Sequence, residues 1–462
     1  MSNINLRHIS SRDGAPVIFP TGIDIGTYTP IIGINNIGLP NTAGFGCGVC
    51  PGPLPAGMIG MSGYANPSSD NYGNYQYSDG SIMVWIPAFY YKYGADNTCL
   101  IRPFSYYSSV TVANTDGYAL HRAFYDGGLI QPGFFVDKYQ CSNNNGIASS
   151  IKNGNPLSSN SAHNPFSGLT GTPSNTYGGA IAVAKTRGTN FFCNSRFCFS
   201  ALALLSYIHA QASTSTTYCA WYHATYNFPK GCNNDALKDY NEVIDMGLTT
   251  AAVTWQSDGY SNCGKTGSAG YGGGAGNVFA KSTHNGQNCG VADLNGNMWE
   301  ITPGITSVTA GTPTGLYLLS TNTSMKAVTG GSGGVTDLWG DATHLATMYD
   351  AIVTYPVGVL AGNNSANKYG DSGANAQVFD SALSGAAWNR NGAGIPMSGG
   401  TSAAGTNPFG SDRLWDYKPN EMCPISGGGW DDGTGAGVWT LYLNFVRGNS
   451  LNYVGCRACL YL

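Results

Sequence analysis

Glycine divides this chain into short pieces. The sequence of 462 residues contains 66 glycines, one residue in seven, which is twice the usual share of ~7%. With proline and asparagine they form turn clusters such as Thr21–Gly26 and Asn35–Gly46, separated by apolar runs of a few residues. This spacing predicts short strands joined by loops. No fixed-period repeat is present, which disfavours solenoids and propellers.

Charge is scarce along the whole chain. Only 10% of the residues are charged, against about 25% in an ordinary soluble domain, and the net charge is −4. The 42% of hydrophobic residues are still enough to build a core. The 21 dispersed basic residues form no stripe that could neutralise phosphates, so we expect no nucleic-acid partner. No run of ~18–20 apolar residues predicts membrane insertion. The N-terminus lacks the pattern of a secretory signal, so we expect folding inside the producing cell.

A few segments carry clear secondary-structure signals. Ser81–Gly94 and Gly133–Ser142 are rich in aromatic and β-branched residues and predict strands, the first broken or bulged at Pro87. Asn194–Ala212 has apolar residues at helical spacing after a capping Asn194 or Ser195, and it predicts the main helix. Leu237–Met246 predicts a shorter helix. Two helices among many short strands indicate an α+β fold.

A change in composition along the chain also suggests a domain organisation. Residues 1–80 are turn-rich and predict a small N-terminal β module for attachment or assembly. Residues 81–462 form the predicted main domain, with long loop insertions at about 95–130 and 302–420.

Metal and cofactor signals are weak. The 13 cysteines are odd in number, and the two CxxC pairs, Cys47/Cys50 and Cys456/Cys459, are read as small buried hydrophobic residues, with a zinc site as the alternative. His209 lies on the main helix and predicts a packed or capping histidine. Glycine-rich phosphate loops, a nucleophile elbow and an HExxH pair are all absent from the sequence. We therefore expect neither a cofactor nor a metal.

Two segments resemble a known family. The sequence DLNGNMWE at Asp293–Glu300 and the run Gly427–Leu462, which contains GGGW and GCR, are similar to paired motifs of the C-type-lectin-like fold of the formylglycine-generating-enzyme type. Met83–Gly94 and Phe134–Asn143 match its opening strands more weakly. The resemblance implies that fold for residues 81–462.

Within this superfamily, the last 36 residues look most like the variable region of diversity-generating-retroelement proteins. These proteins bind ligands, often at phage tail tips, through positions rewritten by adenine-directed mutagenesis. The resemblance implies a variable region at 427–462. Its scaffold residues would be Trp299, Trp430, Leu441, Leu443 and Arg457. The ligand-binding positions, each reachable from an AAC-type codon, would be Asp431, Asp432, Gly435, Tyr442, Asn444, Phe445, Arg447, Asn449, Leu451, Asn452 and Tyr453.

Residue alternation in Val438–Val446 points the same way. A strand would bury Leu441 and Leu443 and present Tyr442 and Asn444 outward. Phe445 shares the parity of the leucines, and it is exposed only if the strand ends near Asn444. Tyrosine and asparagine give large, adaptable contact areas, as in antibody paratopes. The alternative is an ordinary β-hairpin that finishes a sheet.

Two further alternatives concern the chemistry of the motifs. The resemblance implies that Asp293–Glu300 is a turn anchored by Trp299, although the oxygens of Asp293, Asn295 and Asn297 could also bind calcium. The enzymatic branch of the superfamily uses a cysteine pair after its GGxW motif. Residues 431–453 contain no cysteine, and Cys456 and Cys459 lie in the predicted last strand, where we expect them to be buried. We therefore predict a binding protein and not an enzyme.

The resulting hypothesis is a phage tail-tip protein that binds a host cell-surface receptor, either protein or glycan. Its N-terminal module would dock to other tail proteins, its location would be the virion, and a homotrimer is expected. The alternatives are a formylglycine-type oxidase, a purely structural virion protein and a cellular ligand-binding protein of the same retroelement class.

Overall fold

The computed structural model describes residues 36–94, 98–171, 177–224, 232–233, 236–237, 263–267, 279–307, 316–328, 348–352, 366–369, 383, 386–396, 409, 412–415, 421–432 and 435–462. All of these residues belong to one compact unit, Gly33–Leu462. Within this part of the chain, no helix is long and apolar enough to cross a bilayer.

Short strands dominate the described residues, as the glycine spacing predicts. The strands are β1 (Met58–Gly60), β2 (Asn74–Tyr77), β3 (Ile82–Pro87), β4 (Phe89–Tyr93), β5 (Cys99–Pro103), β6 (Ala119–Leu120), β7 (Tyr125–Asp126), β8 (Leu129–Ile130), β9 (Gly133–Asp137), β10 (Ser142–Asn144), β11 (Ile147–Ser149), β12 (Phe191–Cys193), β13 (Cys232–Asn233), β14 (Ala236–Leu237), β15 (Trp299–Ile301), β16 (Ile305–Ser307), β17 (Leu316–Leu319), β18 (Tyr349–Ile352), β19 (Ala366–Lys368), β20 (Arg413–Trp415), β21 (Ile425–Ser426), β22 (Leu441–Tyr442), β23 (Val454–Gly455) and β24 (Ala458–Leu460). The helices are α1 (Val110–Thr115), α2 (Ser167–Thr170), α3 (Tyr177–Ala184), α4 (Arg196–Ala212) and α5 (Ala386–Gly392). The architecture is therefore mixed, with several sheets and few helices.

The first large sheet has six antiparallel strands in the order β1-β2-β3-β9-β24-β12. Its central strands β3 and β9 are buried on both faces and are rich in aromatic and β-branched residues. Trp85 lies opposite Phe135 in the β3–β9 register, with ring centroids 4.7 Å apart. The two predicted strand segments are confirmed: β3 ends at Pro87 and β4 begins two residues later.

Helix α4 confirms the main helix prediction. It begins at Arg196, and the Ser195 side chain accepts a hydrogen bond from the Cys198 N–H at 3.1 Å, the expected N-cap geometry. The helix is buried along nearly its whole length. His209 is a packed histidine, as predicted: its ring stacks on Phe45 at 5.1 Å. The predicted helix Leu237–Met246 lies outside the described residues, apart from Leu237 in β14.

The second large sheet contains parts of both the Asp293–Glu300 motif and the C-terminal run. Its order is β19-β20-β22-β21-β15-β23, with parallel pairing between β20 and β22 and between β15 and β23. Strand β15 holds Trp299 and Glu300 of the first motif, while β22 and β23 belong to the C-terminal run. Three smaller pairs, β7–β8, β10–β11 and β13–β14, and the three-stranded sheets β16-β17-β18 and β5-β4-β6 complete the described part.

The predicted domain boundary at residue 80 does not coincide with a break in the structure. Strands β1 and β2 lie before this residue, yet β2 pairs with β3 across it and joins the first sheet. The backbone hydrogen bonds of β2 therefore tie residues 58–77 to the main domain. Residues 1–35 of the predicted module lie outside the described residues.

Candidate ligand-binding surface

A buried ion pair joins the Asp293–Glu300 segment, the first motif, to the C-terminal run. The guanidinium of Arg457 contacts Glu300, with Nη2 to Oε1 at 2.5 Å and Nε to both carboxylate oxygens at 2.9 Å. Both side chains are withdrawn from water. Arg457 also donates to four main-chain carbonyls, those of Asp137, Lys138, Ala292 and Asp293. The planar fork of arginine suits this many fixed acceptors, so Arg457 holds the end of the chain against the first motif.

The Asp293–Glu300 segment is a turn held by its own polar side chains. Asp293 and Asn297 adopt left-handed backbone conformations, with φ of 56° and 70°. A carboxylate oxygen of Asp293 accepts from the Gly267 N–H at 2.6 Å, and Asn297 Oδ1 accepts from the Gly264 N–H at 2.6 Å. The predicted structural role of this segment is confirmed. One carboxylate oxygen of Asp293 and the amide oxygen of Asn297, two of the candidate calcium ligands, therefore accept hydrogen bonds from the main chain.

Trp299 is the buried base of an aromatic cluster. Its ring lies 5.5 Å from Trp415 in a T-shaped arrangement and 5.8 Å from Tyr442, and the last two rings lie 5.2 Å apart. A Cβ atom at Gly429 would come within 2.9 Å of the Trp299 ring, so the first motif's tryptophan and the GGGW loop pack without room for a side chain. Only 2% of Trp299 is exposed.

Beside this cluster, Trp430 packs edge-on against Tyr453 at 5.9 Å. We call the five rings the aromatic patch: Trp299, Trp415, Trp430, Tyr442 and Tyr453. Trp299 and Trp430 are buried, whereas Trp415, Tyr442 and Tyr453 are half-buried. Partly exposed rings on a buried aromatic base offer apolar contact area that needs little ordering on binding.

Acidic groups border the aromatic patch. Asp431 is exposed and Asp432 is half-buried, and Asp432 Oδ2 accepts from the Gly429 N–H at 2.6 Å. Burial raises the pKa of Asp432 to about 7, and the neighbouring Asp431 adds to this shift. Burial, with the negative charge of Asp431, raises the pKa of Tyr453 to about 12. The Arg413 guanidinium lies over the Trp415 ring at 5.5 Å and supplies a positive group at the same edge.

The predicted binding residues differ in how deeply the structure buries them. Partly or fully exposed are Asp431, Asp432, Tyr442, Asn444, Asn449, Leu451, Asn452 and Tyr453. The alternation predicted for Leu441–Phe445 is present, with Leu441 and Leu443 fully buried and Tyr442 and Asn444 half-buried. All five predicted scaffold residues are buried: Trp299, Trp430, Leu441, Leu443 and Arg457.

Three predicted surface residues are corrected to buried ones. Phe445 has no exposed surface, because it follows the parity of Leu441 and Leu443 and enters the core. Gly435 is covered by the Arg413 side chain, which occupies the space of a Cβ atom there. Arg447 is only 5% exposed and lies 3.6 Å from the Glu421 carboxylate. None of the three can serve as a freely variable contact residue.

Trp415 and Arg413 are members of the site that the sequence pattern did not indicate. They lie in β20, within the stretch read as an insertion, and parallel pairing sets Trp415 beside Tyr442. No local periodicity marks a three-residue strand in a glycine- and asparagine-rich region. Its only sequence signal is the Arg-Leu-Trp triplet itself.

The two CxxC pairs are buried, as predicted. Cys456 and Cys459 are at most 1% exposed, and Cys47 and Cys50 are also buried. Burial raises the pKa of the Cys50 thiol to about 11, which opposes metal ligation or nucleophilic attack at neutral pH. In the described part of the chain, no group of three or more histidine, cysteine, aspartate or glutamate side chains is arranged to hold a metal ion.

Comparison with solved structures finds similarity to variants of the Major Tropism Determinant. The M1 variant matches with a TM-score of 0.30 and 12% sequence identity, over 82% of this chain and 63% of that chain. The U1 variant matches with a TM-score of 0.29 and 12% identity, over 83% of this chain and 65% of that chain. The chain thus spans less than two thirds of the length of either structure. No family model matches the sequence. No curated protein matches it either.

Proposed function

We propose that this chain is a phage receptor-binding protein, and that it contacts a host cell-surface ligand through the aromatic patch and its acidic border. The observation that carries the proposal is the combination of three half-buried rings with a buried support. Trp415 and Tyr442 rest on Trp299, which lies in the strand fixed by the Arg457–Glu300 ion pair, and Tyr453 packs against the buried Trp430. Clustered exposed aromatic side chains mark binding surfaces, and tyrosine and tryptophan supply most of the energy in many interfaces.

We further propose that side chains of the C-terminal run vary between sibling virions. The candidates are the partly or fully exposed positions Asp431, Asp432, Tyr442, Asn444, Asn449, Leu451, Asn452 and Tyr453. Exposed positions tolerate substitution with small effects on stability, whereas the buried Leu441, Leu443 and Phe445 do not. In this proposal the protein resides in the virion, its N-terminal region docks to other tail proteins, and a homotrimer gains avidity from several weak contacts.

Binding to intact bacterial cells tests the proposal. The double variant Tyr442→Ala/Tyr453→Ala should bind at least tenfold more weakly than the parent, because aromatic anchors dominate such interfaces. The measurement is flow cytometry with fluorescently labelled protein on a panel of bacterial strains. The matched control is Tyr106→Ala, which removes a tyrosine that is 59% exposed and makes no ring contact with the patch.

Two outcomes would contradict the proposal. Unchanged binding of the double variant to a strain that binds the parent would place the contact surface elsewhere. Equal loss of binding in the Tyr106→Ala control would show that any exposed tyrosine contributes. A melting temperature of the double variant within a few degrees of the parent is required, since a large drop would mean that the rings are part of the core.

The variation itself is tested at the genomic locus. A near-copy of the segment encoding residues 427–462, beside a reverse-transcriptase gene and differing only at adenines, is expected. An identical C-terminal run in all sibling virions would favour a purely structural role. Cysteine-dependent oxidation of a peptide substrate would favour the oxidase alternative.

A further inference from the structure

A polar cleft lies in the part of the unit that carries the Pro67–Asp70 turn. Its volume is about 210 Å³, and its walls come from this turn, from Thr217 and Tyr218, and from the 286–289 segment. None of its lining residues belongs to the aromatic patch. The exposed carboxylate of Asp70 is at the lining, as is the thiol-bearing residue Cys289.

Cys289 is paired with a second cysteine from a distant part of the chain. The Cys47 thiol donates to the Cys289 main-chain carbonyl at 3.6 Å and also interacts with the Cys289 thiol, although 242 positions separate the two residues. The amide Nδ2 of Asn285 contacts both sulfur atoms, at 3.6 Å for Cys47 and 3.5 Å for Cys289. One side chain therefore fixes the two sulfurs next to each other.

The surroundings assign different roles to the two thiols. Hydrogen bonds from Cys47 and Asn285 lower the pKa of Cys289, and the positive charge of Lys138 acts in the same direction. Burial raises the pKa of Cys47. Lys138 is held in place because its Nζ donates to Asn74 Oδ1 at 2.5 Å and to the Asn288 carbonyl at 2.6 Å. Cys289 is thus the better nucleophile and Cys47 the second thiol of the pair.

We propose that Cys47 and Cys289 form a redox site that reacts with low-molecular-weight disulfides entering the cleft. The Cys289 thiolate attacks one sulfur of the small disulfide, forms a mixed disulfide and expels one thiolate. Cys47 then attacks the Cys289 sulfur, forms the Cys47–Cys289 disulfide bond and expels the second thiolate. The two protons of the cysteine thiols pass to the two released thiolates, so the small disulfide is reduced to two thiols. Asp70 at the lining favours a cationic disulfide.

The chain contains two further hydrogen-bonded thiol pairs that serve as internal controls. The thiol of Cys141 interacts with that of Cys456, and the thiol of Cys198 with that of Cys459; all four are free cysteines. All four residues are buried, as are Cys47 and Cys289, but of these six residues Cys289 alone lines the cleft. Proximity of sulfurs alone would make all three pairs react, whereas access through the cleft selects Cys47–Cys289.

The test uses cystamine, a small dicationic disulfide, on the intact folded chain. After reaction at pH 8 and blocking of free thiols with N-ethylmaleimide, peptide mapping by mass spectrometry should find a Cys47–Cys289 cross-link and free thiols at the other two pairs. In the Cys47→Ser variant the reaction should stop at a cysteamine adduct on Cys289. The Cys198→Ser variant should react like the parent.

Several results would overturn the inference. One is an unmodified Cys289 in the folded parent. Another is cross-linking of Cys141–Cys456 and Cys198–Cys459 at a rate similar to that of Cys47–Cys289. A cysteamine adduct that persists on Cys289 in the parent would show that Cys47 does not complete the exchange. The parent chain alone decides these points, so a failure of either variant to fold leaves the test intact. Binding to cells through the aromatic patch is independent of all of them.

Discussion

At the scale of single residues, the most informative side chain is Asp432. It is half-buried at the edge of the aromatic patch, and burial raises its pKa to about 7. In the unfolded chain an aspartate titrates near pH 3.9. Between these values the folded state keeps a proton that the unfolded state has lost. The stabilisation from the protonated carboxyl is therefore complete below about pH 4 and is lost as the pH rises through about 7.

Replacing this carboxyl by an amide should remove that dependence. We expect Asp432→Asn to leave stability nearly unchanged at pH 4 and to raise the free energy of unfolding by about 1–2 kcal/mol at pH 8, after allowance for partial exposure. Urea unfolding at both pH values measures the difference. Asp431→Asn is the matched control, because Asp431 is exposed. If the free energy of unfolding changes with pH in the same way for the parent and for Asp432→Asn, the pKa of Asp432 is not raised in the folded state.

At the scale of elements, the segment around β22 shows how alternation continues beyond a regular strand. Only Leu441 and Tyr442 are strand residues, yet Leu443 and Phe445 are fully buried and Asn444 is half-buried. Val446 forms a bridge with Met422, and Cys423 donates to the Phe445 carbonyl at 2.7 Å. These backbone contacts keep the chain extended and keep the parity, so Phe445 faces the core.

This packing yields a stability prediction. Phe445→Ala should lower the free energy of unfolding by about 3–5 kcal/mol, because it leaves a cavity in the core. Asn449→Ala, a change at a half-buried position four residues on, should stay within about 0.5 kcal/mol of the parent. Guanidinium unfolding of both variants measures the contrast. If Phe445→Ala leaves the free energy of unfolding nearly unchanged, the Phe445 ring is not part of the core and belongs to the binding surface.

At the scale of the whole molecule, Arg457 connects parts of the chain that are far apart in sequence. It binds Glu300, the carbonyl of Asp137 at the end of β9 and the carbonyl of Asp293 at the start of the first motif. Nearby, Asp137 accepts from the Ala458 N–H at 2.8 Å and pairs with Arg187. The C-terminal run therefore contacts both large sheets, the first through Asp137 of β9 and the second through Glu300 of β15.

The value of this connection can be measured with two conservative changes. Arg457→Lys should cost about 3 kcal/mol or more, since a lysine cannot serve the carboxylate and the carbonyls with its smaller set of donors. Arg447→Lys should cost about 1 kcal/mol or less, because a lysine can keep the ion pair with the partly exposed Glu421 carboxylate. Within the described part of the chain, the Nε and Nη2 atoms of Arg447 make no hydrogen bond that would be lost. Similar losses in thermal and chemical unfolding for both variants would show that Arg457 has no special connecting role.

The sequence by itself determined the features that depend on neighbouring residues. Helix α4 with its Ser195 cap, the break at Pro87 and the alternation after Leu441 all follow from local propensity and periodicity. Only the tertiary structure brought Trp415 and Arg413 beside Tyr442 and joined β1 and β2 to the first sheet. It also kept the chain extended as far as Phe445, through the bridge between Met422 and Val446. These outcomes depend on pairing between distant strands, and the free energy of such pairing comes from contacts that no short stretch of sequence contains.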